Sequence, residues 1–173
     1  MIYFISDTHF NHKGSLNWPN GKARPFHNVE DMNQYIIENW NKIVKDEDTV
    51  YFIGDFAYKS NINKAELIFQ QLKGKKHLII GNHDNKIACK FKNCWESISD
   101  IKYFTYEKID FVLCHYPMKS WKNSNRGSIH LHGHTHGSLQ KENEAINRYD
   151  CSVEVIDYTP ISIEQIINIK RKQ

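Results

Sequence analysis

The chain has 173 residues, with 23 basic and 20 acidic side chains and a formal net charge of +3. That balance is too even for a nucleic-acid surface, and no apolar run approaches the roughly 20 residues a membrane-spanning helix needs. With 40% hydrophobic and 13% aromatic residues the composition also excludes a disordered chain. The length suits one domain over residues 1–173. Met1-Ile2-Tyr3-Phe4-Ile5-Ser6-Asp7 has no signal-peptide pattern, so a cytoplasmic protein with no membrane partner is expected.

In chain order, Ile2–Ile5 is the first short apolar run and reads as a strand. Val29, Met32, Ile36, Trp40, Ile43 and Val44 then recur every three or four residues, the period of a helix with one buried face, and Asn28 is placed to cap it. Thr49–Ile53 is a second strand. Ile62–Lys73 is a second helix, burying Ala65, Ile68, Phe69 and Leu72 and stopping at Gly74. His77–Ile80 is a further strand, and Ile101–Tyr106 and Phe111–Cys114 lie close enough in sequence to pair as a hairpin. Ser128–Leu131 and Ser152–Ile156 complete the strands. Ser162 opens a last amphipathic helix, with Gln165 three residues on as in a capping box. Strands alternating with helices indicate an α/β fold with parallel members, and the later hairpin with its closely following strands indicates two sheets. Cys89, Cys94, Cys114 and Cys151 form no CxxC pair and read as reduced, mostly structural thiols.

The polar residues gather where these strands stop. Ile2–Ile5 runs into Ser6-Asp7-Thr8-His9, Thr49–Ile53 into Gly54-Asp55, and His77–Ile80 into Gly81-Asn82-His83-Asp84. Phe111–Cys114 runs into His115-Tyr116-Pro117, and Ser128–Leu131 into His132-Gly133-His134-Thr135-His136. Of the ten histidines, seven lie between Lys76 and Gly137. Ligands in open α/β sheets bind at the carboxyl ends of strands, so these segments converge on one site. Each has a plain structural reading alone, such as a turn-capping Asp beside an exposed His. A turn has no need of the histidine in Gly-Asn-His-Asp, and the full set of five points to chemistry.

Imidazole, carboxylate and amide oxygen suit borderline divalent metals such as manganese, iron or zinc. Asp7, His9, Asp55, Asn82, His115, His134 and His136 are too many donors for one tetrahedral ion. They suit two ions if a carboxylate bridges them, and aspartate can do so by turning one oxygen to each ion. Two divalent cations, less two carboxylates and a hydroxide, leave about +1, which attracts a phosphate ester.

The ordered set DTH at 7–9, GD at 54–55, GNHD at 81–84, His115 and GHTH at 133–136 resembles the signature of the calcineurin-like metallophosphoesterases over about residues 1–161. It is most similar to the small single-domain bacterial and phage members, which share DTHF, an Arg-Pro-Phe loop (Arg24-Pro25-Phe26) and His-Tyr-Pro. The resemblance implies a four-layer α/β/β/α sandwich of two mixed sheets flanked by helices. It implies that Asp7, His9, Asp55 and His136 hold one metal and that Asp55, Asn82, His115 and His134 hold the second. The ions are expected to be Mn2+, with Fe2+, Zn2+ and Ni2+ as alternatives. It further implies attack by metal-bound hydroxide, with His83 as the catalytic residue that contacts phosphate and protonates the leaving oxygen. Arg24, Asn82 and His83 are the candidate substrate contacts.

The chain also departs from its relatives. The family's protein phosphatases follow Gly-Asp with an acid that pairs with the catalytic histidine and an arginine that grips phosphate. Here Phe56-Ala57-Tyr58-Lys59 follows. Where small members carry Asn-Val-Gly-Val-Asp after GHxH, this chain has Asp150-Cys151-Ser152-Val153-Glu154. With four arginines and none in the Gly-Asp loop, a phosphodiester is the expected substrate, a nucleotide among the candidates, and a phosphomonoester the alternative. A non-catalytic metal-binding scaffold of the same fold is a third reading, disfavoured because all seven ligands and His83 are present.

Overall fold

The computed structural model describes residues 1–19, 23–58, 62–84 and 94–172. Its elements are β1 (Ile2–Ile5), α1 (Val29–Ile43), β2 (Thr49–Phe52), α2 (Ile62–Gln71), β3 (Lys75–Ile79), β4 (Ser97–Ser99) and β5 (Ile101–Tyr106). Then come β6 (Ile109–Cys114), β7 (Ile129–His132), α3 (Gln140–Glu144), β8 (Arg148–Asp150), β9 (Ile161–Ser162) and α4 (Ile163–Arg171). One sheet runs β4-β3-β2-β1-β9 and the other β5-β6-β7-β8. Both are mixed: β9 is antiparallel to β1 in the first, and β5 to β6 in the second, while the remaining neighbours are parallel. With their helices they form the α/β/β/α sandwich.

Residue alternation explains how the layers hold. Phe4, Tyr51 and His77 leave one face of the first sheet, in register across β1, β2 and β3. Phe4 meets Phe104 and Phe111 of the second sheet at ring separations of 6.4 Å each, and Tyr51 meets Phe104 at 5.5 Å. The join between sheets is thus a stack of aromatic rings, each contributing roughly 1.5–3 kcal/mol through burial. The opposite parity presents Ile5, Val50, Phe52 and Leu78 to the helical layer, where Trp40 of α1 stacks on Phe52 at 6.4 Å. In α1 the predicted stripe of Val29, Met32, Ile36 and Trp40 is buried, and the Asp31 amide donates to the Asn28 side chain. The capping box of α4 forms between Ser162 and Gln165.

Ser152–Ile156 does not form the expected strand. Only Ser152 bridges, to Ser6. The chain then coils, with the amides of Val155 and Ile156 both donating to the Ser152 carbonyl and with Asp157 and Tyr158 at φ 49° and 53°. Its Val-x-Val alternation mimics a strand, but after the Val153 amide donates to the Ser6 carbonyl the following amides turn back on Ser152. The strand beside β7 is instead β8, three residues too short to show a period. Cys94, Cys114 and Cys151 are free thiols, as expected, and Cys89 lies outside the described residues.

Candidate metal centre

The strand ends form one site because the backbone turns sharply as each strand stops. Asp7, His9, Asp55, His134 and His136 all lie at positive φ, between 45° and 69°. L-residues seldom adopt this left-handed region, although Asp, Asn and His enter it more readily than most. Such turns persist only where their surroundings over-determine them. Here the Asp7 amide donates to the Gly54 carbonyl at 2.9 Å and the His9 amide to the Asp55 carbonyl at 3.1 Å, joining the first two loops. Two glycines let the loops approach. A Cβ on Gly81 would run into Asp55 Oδ1, and one on Gly133 into Asp7 Oδ2.

Asp84 fixes the middle of the site. It is fully buried and accepts amide hydrogens from Asp55 at 2.6 Å, Phe56 at 2.9 Å and Gly81 at 2.9 Å. It thereby ties the Gly-Asp turn to the Gly-Asn-His turn, with both of its oxygens engaged by main-chain amides. Burial, then the nearby Asp55 charge, pushes its carboxyl up, against the three amides.

The expected donors form groups that could each hold a cation. Asp7, His9 and His136 make one, and Asp55, His115 and His134 another. His9 Nε2 lies 3.8 Å from Asp7 Oδ1 and 3.6 Å from Asp55 Oδ2, while His136 Nε2 lies 3.5 Å from Asp7 Oδ1. His115 Nε2 lies 3.5 Å from Asp55 Oδ2 and 3.1 Å from Asn82 Oδ1. Asp55 therefore faces both groups through a single oxygen. Its Oδ1 is held by the His83 amide at 2.9 Å, which corrects the expectation of one oxygen for each ion. A third group joins His83 to His9 and Asp55, with His83 Nε2 3.9 Å from Asp55 Oδ2.

Two imidazoles are locked by hydrogen bonds on their far nitrogens. His115 Nδ1 contacts the Ile53 carbonyl at 2.9 Å, and His136 Nδ1 contacts Glu154 Oε2 at 3.0 Å. Carbonyl and carboxylate oxygens only accept, so each Nδ1 carries a proton and Nε2 is the ring nitrogen turned toward the site.

The interior fits a cation. Asp7 Oδ1 and both His9 nitrogens are buried without a partner, whereas Asp7 Oδ2 accepts from the His134 amide at 2.9 Å and the Ser152 hydroxyl at 3.1 Å. One oxygen is saturated by protein and the other is left for something else. Burial pushes Asp7 up to about 6, against the opposing pull of His136 and His115. His115 behaves in the opposite sense: burial alone would lower it, yet Asp55 and Asp7 raise it to about 9. Burial keeps His9 well below the ordinary histidine value, neutral as a ligand must be. Buried carboxylates that protonate, or draw a proton onto a neighbouring imidazole, lack a countercharge. A divalent cation supplies one.

Burial differs across the site. Asp7, His9, Asp55 and His115 are buried, whereas Asn82 and His134 are exposed, and Tyr116 at 46% exposure packs on His134 at 4.9 Å. On the other side His12 stacks on Tyr58 at 3.7 Å, and Trp18 stands edge-on to His136 at 4.8 Å. Arg24, expected at the substrate, is instead buried with its guanidinium spent on protein acceptors. From there it makes no substrate contact, which corrects that expectation. His130 and His132 are core residues bonded to neighbouring groups. His27 and Arg126 are exposed, and Arg148 bonds Asn143 and the Met118 carbonyl. Ser152 and Glu154 were not singled out by the motifs. Their one signal was the departure from Asn-Val-Gly-Val-Asp, which gave no partner for either.

Comparison with known proteins bears on the family and the fold. The model of the calcineurin-like phosphoesterase family matches residues 1–108. The uncharacterized protein MJ1445 of Methanocaldococcus jannaschii is 40% identical over 176 residues, spanning 99% of this chain and 92% of its own length. The Gene 66 protein of Mycobacterium phage L5 is 26% identical, across 79% of this chain and 78% of its own. Among solved structures, a protein of unknown function, AQ665 from Aquifex aeolicus, has a TM-score of 0.79 at 30% identity, with 98% of each chain covered.

Asp84→Asn leaves three amide donors facing one carbonyl oxygen and an NH2 group. A loss of about 1–3 kcal/mol in unfolding free energy is expected by urea titration. An unchanged midpoint would remove Asp84 from the framework of the site.

Proposed function

The chain belongs to the calcineurin-like phosphoesterase family, and from that premise we propose that it is a dinuclear metal-dependent phosphodiesterase in which His83 assists the leaving group. The observation carrying this reading is the pair of donor groups sharing Asp55 Oδ2, beside the unpartnered Asp7 Oδ1 and His9 Nε2. In it, Asp7, His9, Asp55 and His136 would hold one divalent cation, and Asp55, Asn82, His115 and His134 the other. When bound, such ions polarise the phosphoryl group and acidify water at the site. Carboxylate, imidazole and amide donors suit Mn2+, with Fe2+, Zn2+ and Ni2+ as alternatives.

The chain's own groups divide the remaining work. Asp7 and Asp55 set the negative charge of the floor, and the locked rings of His115 and His136 need no reorientation. His83 lies on the open side of Asp55, its side chain 27% exposed, where Nε2 can meet a phosphate oxygen and give its proton to the departing alkoxide. Asn82, exposed beside His115, would present its amide oxygen to the second ion and its NH2 to substrate.

The preference for a diester rests on the arginines. Arg24 and Arg148 are buried in protein contacts, Arg126 precedes the amino end of β7, and Arg171 ends α4. No guanidinium thus faces the site to balance a monoester dianion. A cytoplasmic location is part of this reading, supported by the three free thiols among the described residues. None of the described helices is long and apolar enough to cross a membrane.

With Mn2+ supplied, bis(4-nitrophenyl) phosphate should turn over faster than 4-nitrophenyl phosphate, and the reverse order would favour the monoesterase. Asp55→Asn should abolish turnover and lower the metal content measured by plasma emission. Full activity with two bound ions in that variant would rule out the shared carboxylate. His83→Ala should keep the metals and lose about 10²–10⁴-fold in turnover, more for an alkyl ester than for a nitrophenyl ester, whose leaving group needs little protonation. Equal losses on both esters would favour phosphate binding over proton transfer, and loss of a metal would make His83 a ligand.

A further inference from the structure

We propose that Arg24 and Glu154 are a positioning pair that presets the Asp7, His9 and His136 half of the site for its cation. The inference rests on the metal-centre reading above and assigns work to two residues outside the ligand set.

Glu154 uses both oxygens as acceptors. Oε2 takes the Nδ1 hydrogen of His136 at 3.0 Å, and Oε1 takes Arg24 Nε at 2.8 Å with Nη2 also at 2.8 Å. The first contact fixes the tautomer that leaves His136 Nε2 bare, 3.5 Å from Asp7 Oδ1. The rest of the guanidinium grips the turn on the other side of the same cluster. Nη1 donates to the Thr8 carbonyl at 2.7 Å, and Nη2 donates to the Asp7 carbonyl at 2.5 Å. Those carbonyls lie in the segment where Asp7 and His9 hold φ of 56° and 45°. One planar fork therefore pins the strained turn that aims two donors, and through Glu154 it reaches the ring of the third. The two residues are 130 positions apart, so the pair links the first loop to the last.

The chemistry is specific to these side chains. A lysine at 24 would offer a point charge, not a fork that meets two carbonyls and a carboxylate together. A glutamine at 154 has one acceptor and one donor, so it must turn its NH2 toward either His136 or Arg24, both of which donate. Carboxylate–histidine contacts of this kind orient metal-binding imidazoles and raise their basicity.

The test uses the full chain, titrated with Mn2+ by calorimetry and by chelator competition, with long-range 15N–1H spectra of the metal-free protein reporting the His136 tautomer. Glu154→Gln should weaken one of two Mn2+ ions by about 10–100-fold, leave the other unchanged, and mix the His136 tautomers. Arg24→Lys should weaken the same ion, and it decides the matter if the Glu154 variant does not fold. Wild-type affinities for both ions with an unaltered His136 tautomer would overturn the pairing. So would a lowered melting temperature with no change at either ion, since that is a purely structural role. Failure of the unmodified chain to bind Mn2+ would overturn the metal-centre reading itself, a result separable from the others because the same titration records it.

Discussion

The carboxylates of Asp7 and Asp55 are buried beside each other at the floor of the site, and the surrounding structure answers that constraint. An ionised carboxylate without a partner costs several kcal/mol to bury. The protein satisfies one oxygen of Asp7 with Ser152 and the His134 amide, leaves the other bare, and surrounds it with imidazole nitrogens. Without a cation, burial raises Asp7 and the carboxylates hold a proton on His115. A site built in this way binds positive charge or adapts by taking up protons.

The same constraint explains where the backbone is strained. Five donor residues occupy left-handed φ because a strand that stops without turning would carry the next side chains past the site. The framework that holds those turns is polar and local: Asp84 beneath the middle loops, and Arg24 beneath the first. The aromatic join between the sheets holds the two layers of strand ends together, and the contact of His115 Nδ1 with the Ile53 carbonyl sets that ring beside Asp55.

Much of this was legible in the sequence, because apolar runs that stop at Asp, Asn or His mark both a strand and its end. The seven donors are brought together as the motif order implies, and α1 and α4 form on the stripes and caps that their residues specify. What was not legible depends on partners far apart in sequence. Arg24, in an Arg-Pro-Phe loop, looked available to phosphate because a guanidinium suits it equally well. Nothing local shows that two carbonyls and Glu154 occupy it. The segment containing Glu154 alternates like a strand yet coils, since the Val155 and Ile156 amides turn back to the Ser152 carbonyl. The one-oxygen contact of Asp55 was hidden for a similar reason: the His83 amide that takes Oδ1 comes from another loop.

The central claim is that Asp55 Oδ2 stands between two cation sites. Anomalous diffraction from crystals soaked in Mn2+, recorded on both sides of the manganese edge, tests it most directly. The account predicts two peaks, one among Asp7, His9 and His136 and one among Asn82, His115 and His134, with Asp55 Oδ2 in contact with both. A single peak, or two peaks that Asp55 does not join, would contradict it.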